Sequence, residues 1–280
     1  MRDISTKTIT DTVKNLCIEA NTDLSDDVKE ALNKALKNET SKTGREILRQ
    51  ILQNAEIAYG EKLPLCQDTG TAVVFITIGQ EVHVIDGSLT EAINEGVRQG
   101  YSKGFLRKSM AADPLERKNT GDNTPAILHT EIVPGDKLKI GLLCKGGGAE
   151  NKGTIRMFTP TTSKKEIEDF ILETVKKAGP DACPPYIIGI GIGGNFDSAP
   201  LFAKKALLRP VGHNHSALSV AKWEKDLLTK INKLGIGPMG LGGKTTALAV
   251  SIEKHPCHIS SLPVAVNIEC HAHRYREITI

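Results

Sequence analysis

Apolar residues recur at helical spacing through the first part of the chain. Ile9, Val13, Leu16 and Cys17 form one stripe and Val28, Leu32 and Leu36 a second. Ile47, Leu48, Ile51, Leu52 and Ala55 form a third, after the start signal Ser-Lys-Thr-Gly-Arg-Glu at 41–46. This predicts a helical N-terminal region over residues 1–60. From Leu63 the pattern changes. Residues 71–78, 126–132 and 137–144 read as strands, the last two separated by the turn Pro134-Gly135-Asp136. Residues 91–100, 164–178, 199–208 and 223–234 read as helices, with further strands at 186–190, 246–251 and 263–268. Strands and helices alternate without a regular strand–helix–strand repeat, so the expected class is α+β, with a mixed region over 61–280 that carries the site.

Composition narrows the function. Thirty-six basic and 33 acidic side chains give a net charge of only +3 over 280 residues, and the basic residues are interspersed with acids. No stripe suited to nucleic acid results. The N-terminus lacks the apolar segment of a signal peptide and no apolar run reaches membrane-span length, so a cytoplasmic location without membrane association is expected. Aromatic residues make up 4% of the chain, too few to suggest stacking platforms.

In a reducing compartment the six cysteines are read as metal ligands or packing residues rather than disulfides. Cys66 (Leu-Cys-Gln-Asp-Thr-Gly), Cys183 (Cys-Pro-Pro) and Cys270 (Glu-Cys-His-Ala-His-Arg) stand among glycine, proline and polar residues. Three thiolates can hold three irons of a four-iron cluster and leave the fourth open as a Lewis acid. Each cysteine alone reads equally as an ordinary buried thiol. Their wide separation excludes compact ferredoxin or zinc-finger spacing. Cys17, Cys144 and Cys257 are assigned to packing.

Three glycine-rich stretches are candidate anion loops. Gly189–Gly194 fits Gly-x-Gly-x-x-Gly but lacks the acidic residue about 20 positions on that a dinucleotide fold uses. The stretch 235–246 resembles a phosphate loop around Lys244, but Pro238 stands where that motif needs glycine. Residues 145–152, Lys-Gly-Gly-Gly-Ala-Glu-Asn-Lys, fit no nucleotide motif, yet their amides suit a small anion such as a carboxylate. Arg107 and Arg117 are candidate carboxylate clamps, although either taken alone reads first as a solvated surface charge. For His258 the local sequence leaves ligand, acid–base group and core residue open.

Taken in order, Cys-Gln-Asp-Thr-Gly at 66–70, Asn-Thr-Gly-Asp-Asn at 119–123, Gly-Gly-Gly-Ala-Glu-Asn-Lys at 146–152, Cys-Pro-Pro at 183–185, Gly-Gly-Lys-Thr-Thr-Ala-Leu at 242–248 and Glu-Cys-His-Ala-His-Arg at 269–274 form a specific series. The chain resembles the alpha subunit of the two-subunit, iron–sulfur class I fumarate hydratases, a family that includes L-tartrate dehydratase. The resemblance spans nearly the whole chain. It implies a 4Fe–4S cluster on Cys66, Cys183 and Cys270, with Asp68 as general acid. Gln67, Arg107, Gly146, Gly147, Gly148 and His258 are its implied substrate contacts, with His258 serving the site of a neighbouring protomer, and Lys152 is added as a donor of the glycine loop. Single-chain members continue into a second domain with a threonine base, further arginines and a lysine, so this chain resembles half an active site. The expected activity is reversible hydration of fumarate to L-malate, a reaction of the tricarboxylic acid cycle. A beta subunit would complete the site, in an assembly such as two alpha plus two beta. The alternatives are L-tartrate dehydration, a non-enzymatic iron–sulfur redox protein, and a glycine-loop nucleotide-binding module.

Overall fold

The computed structural model describes residues 1–280. In chain order the elements are β1 (Arg2–Ser5), α1 (Thr6–Thr22), α2 (Asp26–Asn38), α3 (Lys42–Glu61), β2 (Thr71–Gly79), β3 (Val82–Ile85), α4 (Leu89–Lys103), β4 (Ile127–Val133) and β5 (Leu138–Lys145). There follow the single turn α5 (Gly147–Glu150), β6 (Thr154–Phe158), α6 (Lys164–Ala178), β7 (Tyr186–Gly194), α7 (Ser198–Ala206), α8 (Leu218–Asn232), β8 (Ala247–Cys257), β9 (Leu262–Glu269) and β10 (Tyr275–Thr279). The α+β expectation is met. No helix is long and apolar enough to cross a membrane.

The chain divides into two compact units. The first comprises Met1–Leu24, Asn54–Gly147 and Arg274–Ile280, and the second Ser25–Gln53 and Gly148–His273. The boundary expected near residue 60 is not where they part: α1 belongs to the first unit and α2 to the second. Hydrophobic spacing marks each helix correctly but carries no information on which sheet that helix covers.

In the first unit the sheet order is β10-β5-β2-β4, with β2 antiparallel to β5 and parallel to β4. The two-residue period of β2 and β5 turns Ala72, Val74, Ile76, Leu138, Ile140, Leu142 and Cys144 toward α1 and α4, where Ile9, Val13, Cys17, Ile93 and Val97 complete the core. Each such aliphatic side chain contributes about 1.5–3 kcal/mol on burial. Ser5 caps α1 by accepting the Thr8 N–H at 3.2 Å. The short parallel pair β1–β3 and the edge strand β10 escape the sequence reading, since each is only four or five residues long.

The second unit holds a sheet of order β6-β9-β7-β8. Ile188, Ile190, Ile192, Val264, Val266 and Ile268 pack with Phe170, Ile171, Trp223 and Leu227 of α6 and α8. The opposite face of β7 presents Gly189 and Gly191 near α7. A Cβ on Gly189 would lie 2.0 Å from the Ala203 carbonyl oxygen, and one on Gly191 2.2 Å from that of Ala199. These glycines let a helix backbone approach a strand, which accounts for the Gly-x-Gly-x-x-Gly match without a dinucleotide.

Candidate functional site

Cys66 lies in the loop between α3 and β2, half-buried, its Sγ 3.3 Å from Gln67 Oε1. The preceding residue is held on both sides. The Leu65 N–H donates to the Asn21 carbonyl at 2.8 Å, and its own carbonyl accepts from Asn54 Nδ2 at 2.9 Å. Two residues on, the Asp68 carboxylate accepts the Gly70 N–H through Oδ1 at 3.0 Å and the Gly147 N–H through Oδ2 at 2.8 Å. Gln67 and Gly147 are exposed, and Gly146 is buried. A Cβ on Gly146 would stand 2.9 Å from an Arg274 guanidinium nitrogen and 3.3 Å from Asp68 Oδ2. Any larger residue would therefore intrude between carboxylate and guanidinium.

Arg274 is 1% exposed, with Nε donating to the Cys144 carbonyl at 3.1 Å. Lys145, at the end of β5, is equally buried. In the sequence Arg274 stands out only as the end of the Glu-Cys-His-Ala-His-Arg segment, and Lys145 only as the first residue of the glycine-rich stretch. Only Lys145 carries a visible cue, a charge that ends the apolar run of β5. Arg107 is exposed, its backbone held by Thr69. Arg117 is also exposed and occupies a tight turn at φ 59°.

Within the second unit, the backbone brings Cys183 and Cys270 into relation. His271, next to Cys270, approaches the Cys183 carbonyl with its N–H at 3.3 Å and its Nδ1 at 3.0 Å. Both thiols are half-buried and outside any disulfide. Cys183 has φ 55°, a left-handed conformation uncommon for a side-chain-bearing residue, just before Pro184-Pro185. The Cys270 N–H donates to the buried Glu269 carboxylate at 3.2 Å. Burial raises the titration of the neighbouring Tyr186 hydroxyl, and the Cys183 thiol adds to this.

Gly148 is exposed. Lys152 is engaged: its Nζ bonds Asp181 at 2.7 Å, two residues before Cys183. Glu150 is bound by Lys204 and, at 3.2 Å, by the Asn267 amide three residues before Cys270. The glycine loop is thus tied to both cysteine segments. His258 lies in the exposed turn between β8 and β9, its Nδ1 2.7 Å from Ser260 Oγ.

Cys17 and Cys144 are fully buried, as a packing role requires. Cys257 corrects that assignment. It is exposed where β8 runs past the packed part of the sheet, and its Sγ meets the Ser261 carbonyl at 3.2 Å. The phosphate-loop resemblance is also resolved. The loop amides of Lys244 and Thr245 donate to Glu39 Oε2 at 2.8 and 3.3 Å, while Thr40 and Ser41 donate to Oε1 at 2.9 Å each. Burial opposes the charge of Glu39, but the N–H groups of Ser41, Lys244, Thr40 and Thr245 outweigh it and hold its titration below the ordinary glutamate range. The anion in this loop is the protein's own.

No set of three His, Cys, Asp or Glu side chains is arranged to hold a metal ion. A cluster makes a different demand, because it spaces its thiolates around four irons rather than converging them on one. The donor chemistry fits such a group: Cys66, Cys183 and Cys270 are half-buried thiols outside any disulfide, and the last two lie on segments that His271 joins.

The first unit thus holds a carboxylate on two amides beside a buried guanidinium, and the second holds two thiols on anchored turns. The family model described as fumarate hydratase (Fumerase) matches residues 10–279. A Methanocaldococcus jannaschii protein provisionally named L(+)-tartrate dehydratase subunit alpha is 42% identical over 272 residues, covering 95% of each chain. The L(+)-tartrate dehydratase subunits alpha of Escherichia coli strain K12 and Shigella sonnei are each 32% identical over 270 residues, covering 95% of this chain and 88% of theirs. The class is therefore that of a hydro-lyase. The chain belongs to the fumarate hydratase (Fumerase) family and is similar over almost its whole length to alpha subunits within it.

Proposed function

We propose that this chain is the cluster-bearing alpha subunit of a hydro-lyase that interconverts fumarate and L-malate, acting with a beta subunit that completes the site. The observation that carries the reading is Asp68: a half-buried carboxylate two residues after a free thiol, fixed by two amides and facing the same glycine as Arg274. Cys66, Cys183 and Cys270 would hold a 4Fe–4S cluster. When bound, it would supply Lewis acidity toward the substrate hydroxyl and an adjacent carboxylate.

The protein's own residues account for the remaining demands on this side of the reaction. Dehydration breaks the C2–O bond of malate and removes a proton from C3. Asp68, when protonated, gives its proton to the departing oxygen so that water leaves, and takes one from water in the reverse direction. The C3 proton goes to a base on the beta subunit. Arg107 binds a terminal carboxylate, with Gln67 and the Gly148 amide as further donors, while the Gly147 amide stays on Asp68. His258, exposed in the turn between β8 and β9, suits a contact delivered to a neighbouring protomer. Lys152 acts here by fixing the glycine loop to Asp181.

A second reading, L(+)-tartrate as substrate, is favoured by the names of the relatives. Tartrate carries the same two carboxylates and a hydroxyl at each central carbon, so the residues above serve either acid. The test is anaerobic reconstitution with iron and sulfide of the chain co-expressed with its beta subunit, followed by assays on L-malate and L(+)-tartrate. Turnover of malate that disappears in Cys66→Ser, Cys183→Ser and Cys270→Ser supports the first reading. Turnover of tartrate alone establishes the second. A redox-active cluster with no turnover of either acid would leave an electron carrier and defeat both.

A further inference from the structure

Residues 104–126 join α4 to β4 with no helix or strand beyond the isolated bridge between Ala111 and Asn119, yet they carry Arg107. A connection of this length needs side-chain anchors if it is to present a group precisely. Three successive residues are fastened through their backbones. The Arg107 carbonyl accepts from Thr69 Oγ1 at 2.9 Å, the Lys108 carbonyl from Asn119 Nδ2 at 2.9 Å, and the Ser109 N–H donates to Asn123 Oδ1 at 2.7 Å.

The same anchors reach the loop of Asp68. Asn123 is fully buried, and its Nδ2 donates onward to the Gly70 carbonyl at 3.3 Å. Thr69 is 1% exposed, and the buried Tyr101 hydroxyl lies 2.8 and 2.9 Å from the carbonyls of Thr69 and Gly70. Asp122 secures the far end. Burial works against its charge, but the N–H and hydroxyl of Thr124 together with Arg98 bring its titration down to about 2. Within the Asn-Thr-Gly-Asp-Asn segment, Asn119 and Asn123 therefore act as a clasp on backbone groups.

We infer that Thr69 and Asn123 are positioning residues that set the separation between Asp68 and the Arg107 guanidinium, and so fix where the far carboxylate of a short diacid must lie from the oxygen being protonated. The inference rests on the roles given to Asp68 and Arg107 under the proposed function. With its backbone held from both flanks, Arg107 needs to order only its own side-chain torsions when substrate arrives. Its contact with a carboxylate remote from the broken bond is the same in ground and transition states, so loosening the clasp raises KM more than it lowers kcat.

The test is a double-mutant cycle in the reconstituted two-subunit enzyme. Thr69→Val keeps shape and loses the hydroxyl, and should raise KM for the diacid about five- to tenfold with kcat nearly unchanged. Thr69→Ser should restore it. Asn123→Asp keeps the acceptor for Ser109 but loses the donor to Gly70, and should act in the same sense. In an Arg107→Ala background, Thr69→Val should add nothing to KM. An equal effect of Thr69→Val in both backgrounds, or an unchanged KM in soluble, folded Thr69→Val and Asn123→Asp enzymes, overturns the inference while leaving the hydro-lyase reading intact. Absence of diacid turnover in the unmutated enzyme overturns both.

Discussion

Two carboxylates in this chain sit against glycine-rich loops, and they differ in how completely the loop satisfies them. Glu39, 3% exposed, accepts four backbone N–H groups, two on each oxygen. Asp68 is half-buried and accepts two, one on each oxygen. An ionised carboxylate offers roughly four acceptor sites. Glu39 is therefore saturated, whereas Asp68 retains capacity and has exposed neighbours in Gln67 and Gly147. A saturated carboxylate fixes a loop; one left half-satisfied keeps acceptor sites open to a further donor.

The sharpest way to break this contrast is to remove the charge at each position. Asp68→Asn is isosteric and should lower kcat by about 10²- to 10⁴-fold, the usual contribution of a positioned acid–base group. Its unfolding midpoint in denaturant should stay close to that of the parent. Glu39→Gln should do the reverse, because its amide turns an NH₂ group toward amide donors and leaves at least one of them unsatisfied. The expected cost is about 1–3 kcal/mol of stability. Comparable loss of activity without loss of stability in Glu39→Gln would show that the two loops are not divided in this way.

The same pair predicts a pH dependence. Glu39 has its titration depressed in the folded state, so its contribution to stability is present above the unfolded glutamate value of about 4.3 and is lost as pH falls through the lower folded value. Acid unfolding followed by circular dichroism should therefore show a steeper acid limb in the parent than in Glu39→Gln. Parallel curves below about pH 4.5 would remove Glu39 from this role.

Much of this was legible in the sequence. The apolar periods locate most helices and strands, because their cores obey those periods. The Gly-x-Gly-x-x-Gly and phosphate-loop near-matches fail for visible reasons, a missing acid and a proline. What was hidden is long-range. Nothing near Glu39 announces that residues 244 and 245 will donate to it, and nothing near Asn123 shows its amide between Ser109 and Gly70. Lys145 and Arg274 are close to a thiol or an apolar strand in sequence, but their burial follows from sheet pairing, which a local pattern does not encode. The assignment of α1 and α2 to different units was hidden for the same reason.

The smallest and most discriminating effects lie in the glycines themselves. Gly191 and Gly148 each stand in a run of glycines, but the space where a Cβ would go is filled at one and nearly open at the other. On Gly191 that atom would meet the Ala199 carbonyl oxygen at 2.2 Å, while on Gly148 its nearest neighbour is the Asp181 carbonyl oxygen at 3.4 Å. Gly191→Ala should force α7 away from β7 at a cost of about 1–3 kcal/mol, typical of overpacking. Gly148→Ala should leave stability within about 0.5 kcal/mol, as surface substitutions do, and show itself only as a change in KM for the diacid. Equal destabilisation by the two alanines in urea titrations would mean that the Gly146–Gly148 stretch is packed structure, and that its amides are not held open for a substrate.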